Sequence, residues 1–193
     1  MHNTVKNLIY IEELIKSKAN HDELPKIIAV SKTFPIENIL PLIDHGHLHY
    51  GENKVQEALD KWTDIKNQNK NIKLHLIGRL QSNKVKFALK IFDYIHSLDS
   101  ERLATKIAEE QLKQGKKLKI FIQVNIGEEP QKAGVSPQEA DDFIAYCKEL
   151  GLPVVGLMCI PPLNENASEC FKVLKNLAEK NSFSAGNSES GLS

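Results

Sequence analysis

Six times between Pro25 and Lys180 a short apolar run gives way to a stretch whose apolar residues recur at helical spacing. Strict alternation of this kind belongs to a parallel sheet, because each strand must be carried back to the same end by a crossover helix. The expected strands are residues 26–31, 48–50, 73–77, 94–97, 118–125 and 153–158, after an opening amphipathic helix over 3–19. An α/β architecture is therefore expected: a TIM-barrel-like (β/α)8 fold, incomplete, with about six βα units present plus the N-terminal helix. A six-stranded doubly wound sheet is the alternative, and no GxGxxG follows the first strand to support its dinucleotide-binding form.

Local signals place the helices. One is expected over 36–45, ended by Gly46, one from Gly51-Glu52-Asn53 through Trp62, and one over 83–91 with Ser82 as its cap. A fourth, capped by Asp99 or Ser100 and ended by Gly115, sets Leu103, Ile107 and Leu112 on one face. Ser136-Pro137-Gln138-Glu139 reads as a capping box, and Asn166 to Glu169 repeats the pattern before Phe171, Leu174 and Leu177.

Composition excludes several function classes. Lys plus Arg equals Asp plus Glu at 25 each, so no net field gathers nucleic acid or an anionic membrane. Cys147, Cys159 and Cys170 lack CxxC spacing and read as reduced thiols. The N-terminus lacks the layout of a signal peptide, and a cytoplasmic protein is expected.

Chemistry is sought just after the strands. Ile27-Ile28-Ala29-Val30 reads as a strand buried on both faces, which puts Lys32 at its C-terminal end, where parallel α/β proteins gather ligands. A lysine there suits attack on a carbonyl. The amine must be neutral, which at pH 7 costs about 4.6 kcal/mol against a reference pKa near 10.4, and burial or a nearby cation offsets part of that. Asn53 and Asn125 follow other strands and read equally as turn residues. The alternating His45, His47 and His49 have no partner at metal-ligand spacing, His75 and His96 read as hydrogen-bonding structural residues, and no GxSxG elbow occurs.

Six ordered motifs carry a resemblance. They are Val30-Ser31-Lys32-Thr33-Phe34-Pro35, Tyr50 through Glu57, His75 through Lys84, Phe121 through Asn125, Lys132-Ala133-Gly134, and Gly156 through Pro162. Over about residues 5–180 the chain resembles the pyridoxal phosphate homeostasis protein family, which is similar to the N-terminal barrel of alanine racemase. The resemblance implies pyridoxal 5'-phosphate (PLP) as cofactor, held as a Schiff base on Lys32, with Asn53 near its ring. It implies intracellular PLP homeostasis without catalytic turnover, with PLP and PLP-dependent apo-enzymes as partners of a monomer. Lys132, on the same predicted face, reads as an auxiliary lysine or a solvated loop residue. A PLP-dependent racemase-like enzyme and a non-functional fragment with weak PLP binding stay open as alternatives.

The C-terminal end departs from the family pattern. Residues 1–180 are expected to form the PLP-binding barrel domain, and the Ser/Asn/Gly-rich stretch 181–193 a disordered tail. The resemblance places a Ser-x-Gly-Met-Ser segment and an Arg-Ile-Gly strand later in the chain as phosphate-holding elements. No arginine follows Arg102 here, so a truncated or frameshifted member is expected. Three phosphate hydrogen bonds at about 1.5–3 kcal/mol each would be lost with them.

Overall fold

Residues 1–18, 24–129, 132–162 and 166–183 are described by the structure, a computed structural model. Its strands are β1 (Ala29–Val30), β2 (His49–Glu52), β3 (Lys73–Leu76), β4 (Tyr94–Leu98), β5 (Lys119–Gln123) and β6 (Val154–Met158). All neighbours pair in parallel, and the six-stranded sheet keeps the sequential order β1-β2-β3-β4-β5-β6. A doubly wound sheet reverses its strand order at a switch point. Unbroken sequential order is the winding of a barrel, so the fold is TIM-barrel-like and partial.

The helices are α1 (Asn3–Lys18), α2 (Leu40–Asp44), α3 (Val55–Gln68), α4 (Val85–Ile91), α5 (Glu101–Gln114), α6 (Ala140–Glu149) and α7 (Ala167–Lys180). The single helix expected over 36–45 is a 3₁₀ turn, Ile36–Asn38, followed by the short α2, with Pro41 in its first turn. On α5 the buried face is Leu103, Ala104, Ile107 and Gln111, and Leu112 is 86% exposed. At 100° per residue, position 112 lies well away from 103 and 107, whereas 111 stays with them. Gln111 is kept there by use, since its Oε1 accepts the Leu118 N–H at 2.6 Å. Phe171 is likewise exposed, and α7 buries Cys170, Leu174 and Ala178. Asn181 to Phe183 close α7, with the Phe183 N–H donating to Ala178 O at 2.9 Å. From residue 184 the expected tail lies outside the described residues.

Strand alternation sorts side chains into two layers. Tyr50, Leu74, Leu76, Ile95, Ile120, Ile122 and Leu157 face the helices and pack with Trp62, Ala88, Ile107 and Leu174 in one buried core. The opposite, concave side is aromatic and polar: Tyr94, Phe121 and Met158 cluster there beside His75 and His96. β1 is shorter and more open than expected. Val30 is 48% exposed, because β1 pairs only with β2 among the described residues and nothing faces Val30 across the concave side.

Three imidazoles join hand to hand around this concave layer. His49 Nδ1 lies 3.0 Å from His75 Nε2, and His75 Nδ1 lies 2.9 Å from His96 Nε2. His75 stacks on Tyr94 and His96 on Phe121, with ring centroids 4.3 and 4.4 Å apart. A neutral imidazole offers one donor and one acceptor, so such a chain satisfies its buried nitrogens without charge. Burial, reinforced by the neighbouring His96 and His49, pushes the His75 pKa down to about 2, and burial pushes His96 down to about 3. Among the described residues no cluster of three potential ligands could hold a metal ion. The loop after β3 packs on the loop after β2 without slack: a Cβ at Gly78 would sit 2.4 Å from the Asn53 carbonyl oxygen. The Ser97 hydroxyl, from β4, donates to Gly78 O at 2.7 Å.

Two outcomes follow for stability. Unfolded histidine titrates near 6.5, so below that pH the unfolded chain binds protons that His75 and His96 refuse when folded. Their contribution is fully present above about pH 6.5 and is lost on acidification, at about 1.4 kcal/mol per pH unit for each histidine. Urea titrations between neutral and mildly acidic pH should show this combined slope, and a slope below one histidine's share refutes the neutral chain. Gly78→Ala should lower the urea midpoint by an amount equivalent to about 1–3 kcal/mol, because the added methyl meets backbone that cannot swing away.

Candidate functional site

The C-terminal end of β1 is held by side chains more than by the sheet. One ladder bond, Ser31 N–H to Gly51 O at 2.9 Å, carries the extended backbone a residue past the strand. Ser31 faces α3, and Lys32, half-buried, follows it as the first central residue of a turn just past the C-terminal end of β1. The chain then turns sharply. Thr33 sits at φ +65°, a left-handed conformation that is costly for a β-branched residue, and the Phe34 N–H closes the turn on Ser31 O at 3.3 Å.

Beneath this turn lies a charged cluster. Glu52, the last residue of β2, is fully buried. Its Oε1 accepts from Ser31 Oγ at 2.8 Å, Lys61 Nζ at 2.9 Å and Trp62 Nε1 at 3.0 Å. Lys61 Nζ also donates to Ser31 O at 3.0 Å, and Glu57 Oε1 accepts the Thr33 N–H at 2.9 Å. That N–H, followed by Lys61, holds the Glu57 carboxyl below the usual carboxylate range despite opposing burial. Sequence reasoning missed Glu52, Glu57 and Lys61. The available signal was a carboxylate at the helix-facing end of an otherwise apolar strand position, with Lys61 and Trp62 in the following helix.

Asn53 follows Glu52 directly, its backbone pinned by Gly78. Lys32 and Asn53 therefore end adjacent strands, β1 and β2, at the same mouth. Among the described residues neither Lys32 Nζ nor the Asn53 carboxamide has a hydrogen-bond partner. Asn125 serves its own loop instead: its Nδ2 donates to Glu129 O at 2.9 Å, and its backbone meets Gly134 at φ +122°. Lys132 Nζ is paired with Glu129 Oε1 at 2.6 Å within that loop. His47 Nε2 contacts His49 O at 2.9 Å and is structural.

A primary amine and an uncommitted carboxamide at one mouth, above a floor of stacked rings and uncharged imidazoles, fit a planar aromatic group that carries an aldehyde. Comparisons with known proteins identify the family. The profile of the family described as alanine racemase, N-terminal domain, matches residues 11–192. The pyridoxal phosphate homeostasis protein of Aquifex aeolicus is 36% identical over 170 residues, covering 88% of this chain and 74% of the relative. That of Haemophilus influenzae is 34% identical, covering 88% and 72%. Among solved structures, PipY of Synechococcus elongatus with PLP bound superposes with a TM-score of 0.71 at 30% identity, covering 88% of this chain and 81% of PipY. The chain belongs to the pyridoxal phosphate homeostasis protein family.

Proposed function

We propose that this protein binds pyridoxal 5'-phosphate at the concave mouth, as a Schiff base on Lys32, and serves PLP homeostasis without turning over a substrate. The observation that carries the reading is Lys32 itself: a half-buried lysine in the turn just past β1, with its flanking backbone tied down and, among the described residues, no hydrogen-bond partner for its Nζ. Relatives named pyridoxal phosphate homeostasis protein and the PLP-bound PipY structure support the choice of cofactor.

The bound cofactor supplies an aldehyde carbon. Lys32 would hold the cofactor there through its Nζ, a primary amine of the kind that condenses with aldehydes. Asn53 would donate or accept at the ring edge from a backbone that Gly78 keeps in place. The imidazole floor adds no positive charge beneath the ring, since His75 and His96 stay neutral at physiological pH. The reading takes residues 1–180 as one cofactor-binding domain, acting as a cytoplasmic monomer that hands PLP to apo-enzymes. No helix among the described residues is long and apolar enough to cross a membrane.

Borohydride reduction of the protein with low micromolar PLP, followed by peptide mapping, tests this. Label confined to Lys32 and abolished in Lys32→Arg is the expected result. Label scattered over many lysines would instead mean a chain that does not select the cofactor, and turnover of an added amino acid would mean a racemase-like enzyme. Asn53→Ala should retain the Lys32 label but require about tenfold more PLP, the worth of one hydrogen bond to a polar ring; an unchanged PLP requirement removes Asn53 from the site.

A further inference from the structure

We propose that Glu52, Glu57 and Lys61 form a positioning clamp that sets the direction and reactivity of Lys32; the inference rests on Lys32 being the PLP-linked residue. The geometry is specific to that residue. The two peptide groups that flank the Lys32 Cα are each held by a charged side chain of α3: Lys61 grips the Ser31 carbonyl at 3.0 Å, and Glu57 takes the Thr33 N–H at 2.9 Å. Glu52 binds Lys61 Nζ and the Ser31 hydroxyl with a single oxygen, so it couples the clamp to β2. Lys61 also reaches Glu57 at 3.4 Å, one helical turn away, which closes the circuit.

Stability alone does not account for this arrangement. Glu52 is fully buried, and its Oε2 has no hydrogen-bond partner among the described residues. A buried ion pair is often replaceable by apolar residues at no cost in stability, and an orphaned oxygen makes the exchange more favourable still. What an apolar pair cannot do is hold the peptides on both sides of Lys32 while Thr33 stays at φ +65°. Released from the clamp, that turn is free to relax, and the placement of Lys32 changes with it. Misplacement by about 1 Å costs a positioned reaction up to about a hundredfold.

The test uses the full chain and three variants. Glu57→Ala removes one grip at a partly exposed site, Glu57→Gln restores an uncharged acceptor there, and the double variant Glu52→Gln/Lys61→Met removes the other grip. That pair keeps an acceptor for Ser31 and Trp62 and leaves no unpaired buried charge. Without cofactor, amide hydrogen exchange is read at Thr33, and trace acetylation measures Lys32 against the other lysines across pH. With PLP, the fraction linked to Lys32 and the induced circular dichroism of the bound chromophore are read.

Glu57→Ala and the double variant should leave the parent's urea midpoint essentially unchanged, change the Lys32 acetylation profile, and alter the induced dichroism. Glu57→Ala should also speed Thr33 exchange and lower the linked fraction about tenfold, with Glu57→Gln recovering most of it. Faster Thr33 exchange with an unchanged acetylation profile and dichroism overturns the proposal, because the cluster would then be packing alone. So does no change in any readout. A parent chain that does not link PLP to Lys32 defeats the cofactor reading instead, and the exchange and acetylation measurements still decide on the clamp.

Discussion

The Glu52 carboxylate is the contact on which the functional end of the sheet depends. β1 contributes only Ala29 and Val30 to the ladder, too little to hold a strand end on its own. The missing restraint comes from one oxygen that gathers donors from the residue after β1 and from two successive residues of α3. Taking such a carboxylate out of water costs several kcal/mol, and three hydrogen bonds to it, one from a cation, offset that cost. Where most of the sheet is held to its helices by apolar packing, this corner is held by electrostatics. The two mechanisms differ in what they specify. Apolar packing tolerates sliding and repacking, whereas a shared carboxylate fixes the relative positions of its donors.

A similar economy runs through the concave layer. Barrel interiors are filled by side chains, and here the filling is aromatic and imidazole rather than aliphatic. Imidazoles can be buried without charge only if both ring nitrogens are answered. His49 and His96 answer both nitrogens of His75 across three adjacent strands, each reaching it on the diagonal, two residues off the β2–β3 and β3–β4 register. Burial keeps the rings neutral, reinforced at His75 by the neighbouring imidazoles, so these histidines add hydrogen-bonding groups without adding charge.

Much of this was legible in the sequence, and the failures have identifiable causes. Alternation of apolar runs and amphipathic stretches is a local signal, so the strand order and the barrel class could be read directly. Lys32 was singled out because strand ends are functional positions in such folds and because its neighbours carry a family motif. Val30 was misjudged because four apolar residues in a row say nothing about which neighbours exist to cover them. Leu112 was misjudged because an apolar residue was taken as buried against the angular spacing, while the buried position belonged to Gln111. The charged cluster was invisible for another reason. Ser31 and Glu52 are 21 residues apart and Ser31 and Lys61 are 30 apart, and no local pattern links a strand-end serine to a lysine on the next crossover helix.

The strand ends share a feature that changes how the motifs themselves should be understood. At Lys32 the backbone is held by α3; at Asn53 it is held by the Gly78 loop, which admits no side chain; at Asn125 it is held by Gly134, again too close for a Cβ. In each case a residue that pins the strand end (Glu57, Gly78 or Gly134) belongs to a different motif from the polar residue it places, and Lys61, outside the motifs, adds a second hold at Lys32. Within this chain, then, the glycines and acidic residues of the motifs define where the backbone stands, and the amine and carboxamide use that placement. A mouth built this way is formed before any ligand arrives, so ordering the backbone adds little to the cost of binding. For a member of a PLP homeostasis family, a preformed mouth has a further consequence. Affinity is set by the contacts the cofactor itself makes, and it can be tuned at those contacts without reorganising the barrel.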